Sequence, residues 1–181
     1  CEAYLQEKLQ DSSLGDDSRV SRPDILIRVG VNSKGIPQWA PVDIKNHGAF
    51  DGENKSNKVK VSQWSDHLPD GATEVSGKLE FDDGMQLAHY HAHLLNIGFA
   101  SPDYLVGIVG REYQAIAWAN LDQTKQGRGA NASTYISIYH DNFLQAERVV
   151  RVAIERNRDE AIEAPVIAKM KSGKFGCSMC E

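Results

Sequence analysis

The run "RPDILIRVGVNSKGIPQWAPVDIK", residues 22–45, decides the fold. Residues 23–30 and 38–45 are apolar and rich in β-branched side chains, and the stretch between them, "VNSKGIP", carries turn residues. The pattern predicts an antiparallel hairpin. Asp24 then opens one strand and Asp43 closes the other, so antiparallel pairing sets both carboxylates at one end of the sheet. Strand side chains alternate, which sends Asp43 and Lys45 to one face. Ile44 points to the other face and is expected to bury.

Two carboxylates meeting at a strand end can hold a hard divalent cation through oxygen, as Mg²⁺ prefers. Such an ion lowers the pKa of a water and neutralises phosphoryl oxygens, and a lysine beside it orients the water or stabilises developing charge. Those are the needs of phosphodiester hydrolysis. The plain alternative is a surface ion pair at a strand end, contributing ~0–1 kcal/mol.

Outward from the hairpin, residues 1–10, "CEAYLQEKLQ", contain good helix formers and are expected to be the tail of a helix. Residues 46–81 are polar and without a persistent period, and read as a long insertion with at most one short element. Next comes "DDGMQLAHYHAHLLNIG", a helix that Asp82 or Asp83 caps and Gly98 stops. Its apolar stripe is Leu87, Ala88, Ala92, Leu94 and Leu95. Gln86 and Tyr90, four apart, share another face, which His93 continues. They suit contacts to a phosphate or a lysine, but Gln86 equally suits a capping box with Asp83, and Tyr90 an ordinary boundary position. His89 and His93 are an i,i+4 pair without a third ligand at matching spacing, and with His91 they read as a solvated or groove-lining face. Strands are expected at 103–110 and 113–120, and a last helix from Phe143 to about Arg158. The order of elements gives one α/β domain, bordering on α+β, around a small mixed sheet.

"PD" at 23–24, "VDIK" at 42–45 and "QLAHY" at 86–90, in that order, resemble the RecB-like branch of the PD-(D/E)xK nuclease superfamily. The resemblance covers roughly residues 1–181. It implies a restriction-endonuclease-like αβββαβ core, dependence on Mg²⁺ or Mn²⁺, and cleavage of DNA. Carried onto this chain, it makes Asp24, Asp43 and the backbone carbonyl of Ile44 metal ligands and Lys45 the catalytic lysine, with Asp24 and Asp43 also counted as catalytic. Gln86 and Tyr90 would contact substrate or the lysine. The family usually supplies a His or Glu from a first helix. No histidine precedes His47 here, leaving Glu2 and Glu7, or Asp16 or Asp17 in their place.

The chain has 181 residues, a net charge of −5 and 25% charged residues, which argues against a broadly basic nucleic-acid coat. No run approaches a membrane span and nothing resembles a signal peptide, so a cytoplasmic protein that meets no membrane is expected. Three cysteines suit metal or cluster ligation better than disulfides. Some RecB-like nucleases tie their chain ends with a [4Fe–4S] cluster, one cysteine before the core and three after it. Cys1, Cys177 and Cys180 match that layout, with a fourth ligand beyond Glu181; zinc, or three unrelated thiols, are the alternatives. The expectation is a nuclease module cut from a larger DNA repair or recombination protein, with DNA and that protein's other domains as partners. Its rivals are a catalytically weak nuclease-fold module that binds nucleic acid or proteins, and a structural metal or cluster domain.

Overall fold

A computed structural model describes residues 3–5, 9–10, 20–52, 57–63, 71–111, 115–126 and 132–146. The chain divides into two compact units, Cys1–Tyr139 and His140–Glu181, and the sheet belongs wholly to the first. In chain order the strands are β1 (Ala3–Leu5), β2 (Leu9–Gln10), β3 (Val20–Ser21), β4 (Ile25–Val31), β5 (Pro37–Ile44), β6 (Lys58–Gln63) and β7 (Thr73–Ser76). Helix α1 (Phe81–Asn96) follows, then β8 (Leu105–Val109), β9 (Ala115–Asn120), β10 (Lys125–Gln126) and β11 (Ser133–Thr134). Residues 135–146 form a second helix, α2.

Seven strands make one mixed sheet in the order β1-β4-β5-β8-β9-β6-β7. The hairpin expected at 23–45 is present: β4 and β5 pair antiparallel with Ile25 opposite Val42. Its turn is held by Asn32, whose Oδ1 accepts the backbone N–H groups of Lys34 and Ile36 at 2.9 and 3.0 Å. The ladder register shifts between Arg28 and Gly30, on the approach to that turn. Beyond the hairpin, β5 pairs parallel with β8, and the chain needs a long connection to arrive there. That connection holds α1.

The sheet buries both faces. On one, Leu87, Ala88 and Tyr90 of α1 pack with Val106, Ile108, Ala117 and Ala119 of the central strands. Full burial of a side chain such as Leu87 contributes about 1.5–3 kcal/mol. On the other, Ile25, Ile27, Val42, Ile116 and Trp118 form a second cluster, and the Trp118 indole donates to Ser62 Oγ at 2.9 Å.

Several expectations change. Residues 3–5 are a strand rather than a helix tail, because β4 would otherwise expose a row of unpaired backbone groups that Ala3–Leu5 satisfies. The 46–81 stretch supplies two strands, not one short element: Val59, Val61 and Val75 face the core while Lys58 and Lys60 face water. Ile44 is exposed, since β5 runs two residues beyond the start of β4 at Ile25. Leu95 is 55% exposed and leaves the apolar stripe, whereas His91 and His93 are buried. Each histidine has a polar partner: His93 Nδ1 meets Ser21 Oγ at 2.6 Å, and His91 Nε2 meets the Ser101 carbonyl at 3.2 Å. Helix α2 begins at residue 135, eight residues early, where Thr134 Oγ1 accepts the Ser137 N–H at 3.2 Å as an N-cap would.

Candidate active site

Three elements meet at one end of the sheet. The register of β4 and β5, with Ile25 opposite Val42, sets Asp24 across from Asp43. Asp24 Oδ2 accepts the Ile44 N–H at 2.9 Å, in place of a backbone acceptor on β4. Position 23 is the next ladder partner of Ile44. Being proline, it has no N–H to offer the Ile44 carbonyl. The "PD" pair thus closes one backbone group of Ile44 and leaves the ladder without a donor for the other.

Lys45 N–H donates to the Val109 carbonyl at 2.8 Å, so residues 43 and 45 turn their backbone toward β8 and their side chains toward α1. The Lys45 ammonium lies 2.6 Å from Asp43 Oδ2, donates to Gln86 Oε1 at 2.8 Å, and stands 3.4 Å from Asp83 Oδ1. Gln86 Nε2 in turn donates to the Tyr90 hydroxyl at 2.6 Å. The amide is therefore oriented from both ends. The capping-box reading of Gln86 is overturned: the helix N-cap is Glu80, and the amide is spent on Lys45 and Tyr90.

Electrostatics follow from burial. Asp43 is 3% exposed, and burial pushes its carboxyl above the usual range; the neighbouring Asp24 adds to the rise, and Lys45 opposes it. Burial alone would lower the Lys45 ammonium, but Asp43 and Asp83 more than offset it and raise the group. It stays charged. The Tyr90 phenol is raised by burial and by the Asp43 and Asp24 carboxylates, so it is a neutral hydrogen-bonding group here.

Two further residues belong to this site that the sequence alone did not mark for it. Asp83, expected only as a cap, is buried in the first turn of α1 and faces Lys45. His47 Nε2 lies 3.4 Å from Asp83 Oδ2, and its Nδ1 lies 2.9 Å from the Gly48 carbonyl. Arg111 secures this loop, its backbone N–H donating to the His47 carbonyl at 2.8 Å and its Nε to the Asn46 carbonyl at 2.9 Å. The spacing of Asp83 and Gln86, three apart on one helix face, was the available signal.

A divalent cation fits the donor chemistry at Asp24 and Asp43. They are two close carboxylates, Asp43 raised by burial and in part by Asp24, a rise that a cation would relieve. Among the described residues no group of three or more His, Cys, Asp or Glu side chains is set to hold a metal. Cys1, Cys177 and Cys180 lie outside the described residues, as do Glu2, Glu7, Asp16 and Asp17. No family model, curated protein or solved structure matches the chain. Among the described residues, no helix is long and apolar enough to cross a membrane.

Proposed function

We propose that this chain is a divalent-metal-dependent nuclease that hydrolyses DNA phosphodiester bonds. The observation that carries the reading is the Lys45 ammonium, held between Asp43 and Gln86 at the sheet end where Asp24 also arrives. A surface ion pair does not require a buried carboxylate, a second carboxylate beside it and an oriented amide.

In this reading Asp24, Asp43 and the Ile44 carbonyl hold Mg²⁺ or Mn²⁺, which when bound activates water and neutralises phosphoryl charge. Lys45 supplies a fixed positive charge beside the scissile phosphate and can donate a hydrogen bond to the attacking water or to a phosphoryl oxygen. Gln86 and Tyr90 limit the positions the ammonium can take, which matters because a displacement of 1 Å can cost about 10²-fold in rate. Asp43 fixes Lys45 from the other side.

The test is cleavage of single- and double-stranded DNA by the intact protein with Mg²⁺ or Mn²⁺, alongside Asp43→Asn and Lys45→Ala. Metal-dependent cleavage that both variants lose supports the reading. An intact protein that binds DNA but cleaves neither form with either metal would overturn it in favour of a binding module.

A further inference from the structure

The parallel pairing of β5 and β8 brings Arg111 to the sheet end that holds Lys45. We infer that the Arg111 guanidinium is a phosphate subsite, binding a phosphodiester next to the scissile one along the DNA strand. The inference rests on the nucleolytic reading, because that reading puts a DNA backbone at Lys45.

The position of Arg111 follows from the backbone. β5 and β8 leave the sheet in the same direction, with Ile44 beside Val109 and the Lys45 N–H donating to the Val109 carbonyl at 2.8 Å. Two residues further, the Arg111 N–H donates to the His47 carbonyl at 2.8 Å and keeps the two chains together beyond the sheet. The side chain folds onto the same loop, its Nε donating to the Asn46 carbonyl at 2.9 Å. Arg111 is thus tied, through backbone and side chain, to the two residues that follow Lys45. A side chain already held at Nε has less freedom left to lose when a ligand binds.

The unused donors point to an anion. A guanidinium has five N–H donors in a planar fork, and the bond to Asn46 takes one. Those on the two Nη groups have no protein partner among the described residues, and Arg111 is exposed. The carboxylates of the site are committed elsewhere: Asp43 and Asp83 to Lys45, and Asp24 to the Ile44 N–H. Clamping the loop needs Nε alone and leaves both the charge and the paired Nη donors idle. A phosphodiester uses both, since its free oxygens accept parallel N–H bonds from an arginine fork. Arg111 touches none of Asp43, Asp83 and Gln86, which enclose the Lys45 ammonium, so its anion is a neighbouring phosphate and not the reacting one. The chain has a net charge of −5, so holding a strand in register calls for fixed positive charge near the reaction centre.

The experiment measures binding of fluorescent duplex oligonucleotides to the intact protein by anisotropy, between about 50 and 200 mM NaCl. Ca²⁺ is present as an oxygen-ligated cation for the carboxylates. Arg111→Gln keeps an N–H donor for Asn46 but removes the charge and the fork. It should weaken binding about tenfold at the lower salt, equally on two unrelated sequences, because phosphate contacts carry no sequence information. The slope of log affinity against log salt should fall by about 0.9, the equivalent of one phosphate on duplex DNA. A loop clamp alone would lower the melting temperature and leave the slope unchanged, and that result overturns the subsite. Arg111→Lys keeps the charge and loses the fork, so it should bind more weakly than native protein with a near-native slope. It serves if Arg111→Gln does not fold, and native affinity in it overturns the forked contact. No DNA binding by the native protein overturns the subsite too. A protein that cleaves DNA, with an unchanged slope in Arg111→Gln, fails only this inference; an Arg111-dependent slope without cleavage fails only the nuclease reading.

Discussion

Lys45 Nζ donates to Gln86 Oε1 at 2.8 Å, joining the end of the hairpin to the first turns of α1 across 41 residues of sequence. The amide cannot rotate freely, since its Nε2 is already donated to Tyr90. If Lys45 works on a phosphate, Gln86 sets where its charge stands. Gln86→Ala should lower single-turnover cleavage by about ten- to a hundredfold while substrate affinity changes little. Gln86 is exposed, so chemical denaturation should show a stability change within about 0.5 kcal/mol. Unchanged cleavage would make the amide a bystander.

The buried Asp43 carboxyl gives a prediction on the response to metal. Above its raised pKa, ionised Asp43 opposes folding of the metal-free protein, because the charge is better accommodated in the unfolded chain. Asp43→Asn removes that charge but also leaves the Lys45 ammonium without its partner at 2.6 Å, so its melt without metal is the reference for the metal response. Mn²⁺ should stabilise the native protein, by about 2.7 kcal/mol at a hundred times its Kd. The variant should lose most of that response. Thermal melts with EDTA and with Mn²⁺ separate these outcomes, and an equal Mn²⁺ response in both proteins would remove Asp43 from the ligand set.

A third prediction concerns how α1 is seated. Glycine inside a helix costs ~1 kcal/mol relative to alanine, so Gly84→Ala would ordinarily stabilise. Here a Cβ on Gly84 would fall within the Tyr135 ring, which is fully buried and anchored by its hydroxyl donating to the Leu79 carbonyl at 2.5 Å. The ring has nowhere to retreat. Gly84→Ala should lose about 1–3 kcal/mol in urea denaturation. As α1 carries Asp83 and Gln86, cleavage should fall with it.

What the sequence made legible here follows from the range of each interaction. The hairpin at 22–45 was readable because period-two alternation and turn residues are local, and it carried Asp24, Asp43 and Lys45 to one end through register alone. The partners of His91 and His93 were not readable, since Ser21 stands 72 residues from His93 and nothing local announces it. In β6 the alternation of Val59 and Val61 with Lys58 and Lys60 was present, but the polar residues around it hid a strand with one face on the core. Strand β1 depends on the free edge of β4, a tertiary demand that helix propensity over ten residues could not foresee. Asp83 could have been found by asking which side chains share the Gln86 face.

His91 provides the last prediction, on pH. The ring is 2% exposed; its Nε2 donates to the Ser101 carbonyl at 3.2 Å, Nδ1 has no hydrogen-bond partner among the described residues, and Tyr104 packs against it with ring centroids 5.0 Å apart. Burial lowers its pKa below the ordinary 6.5, with the Ser101 bond opposing in part. The folded protein therefore binds this proton less readily than the unfolded chain does. The contribution to stability is fully present above pH 6.5 and is lost as pH falls from there toward the lowered folded value. One such group gives a slope of at most about 1.4 kcal/mol per pH unit. His91→Gln keeps a side-chain donor toward Ser101 but cannot titrate. Chemical denaturation at pH 8 and pH 5.5 should show native protein losing more stability than His91→Gln over that interval, with the two curves converging on acidification. Parallel losses would place the acid sensitivity elsewhere in the fold.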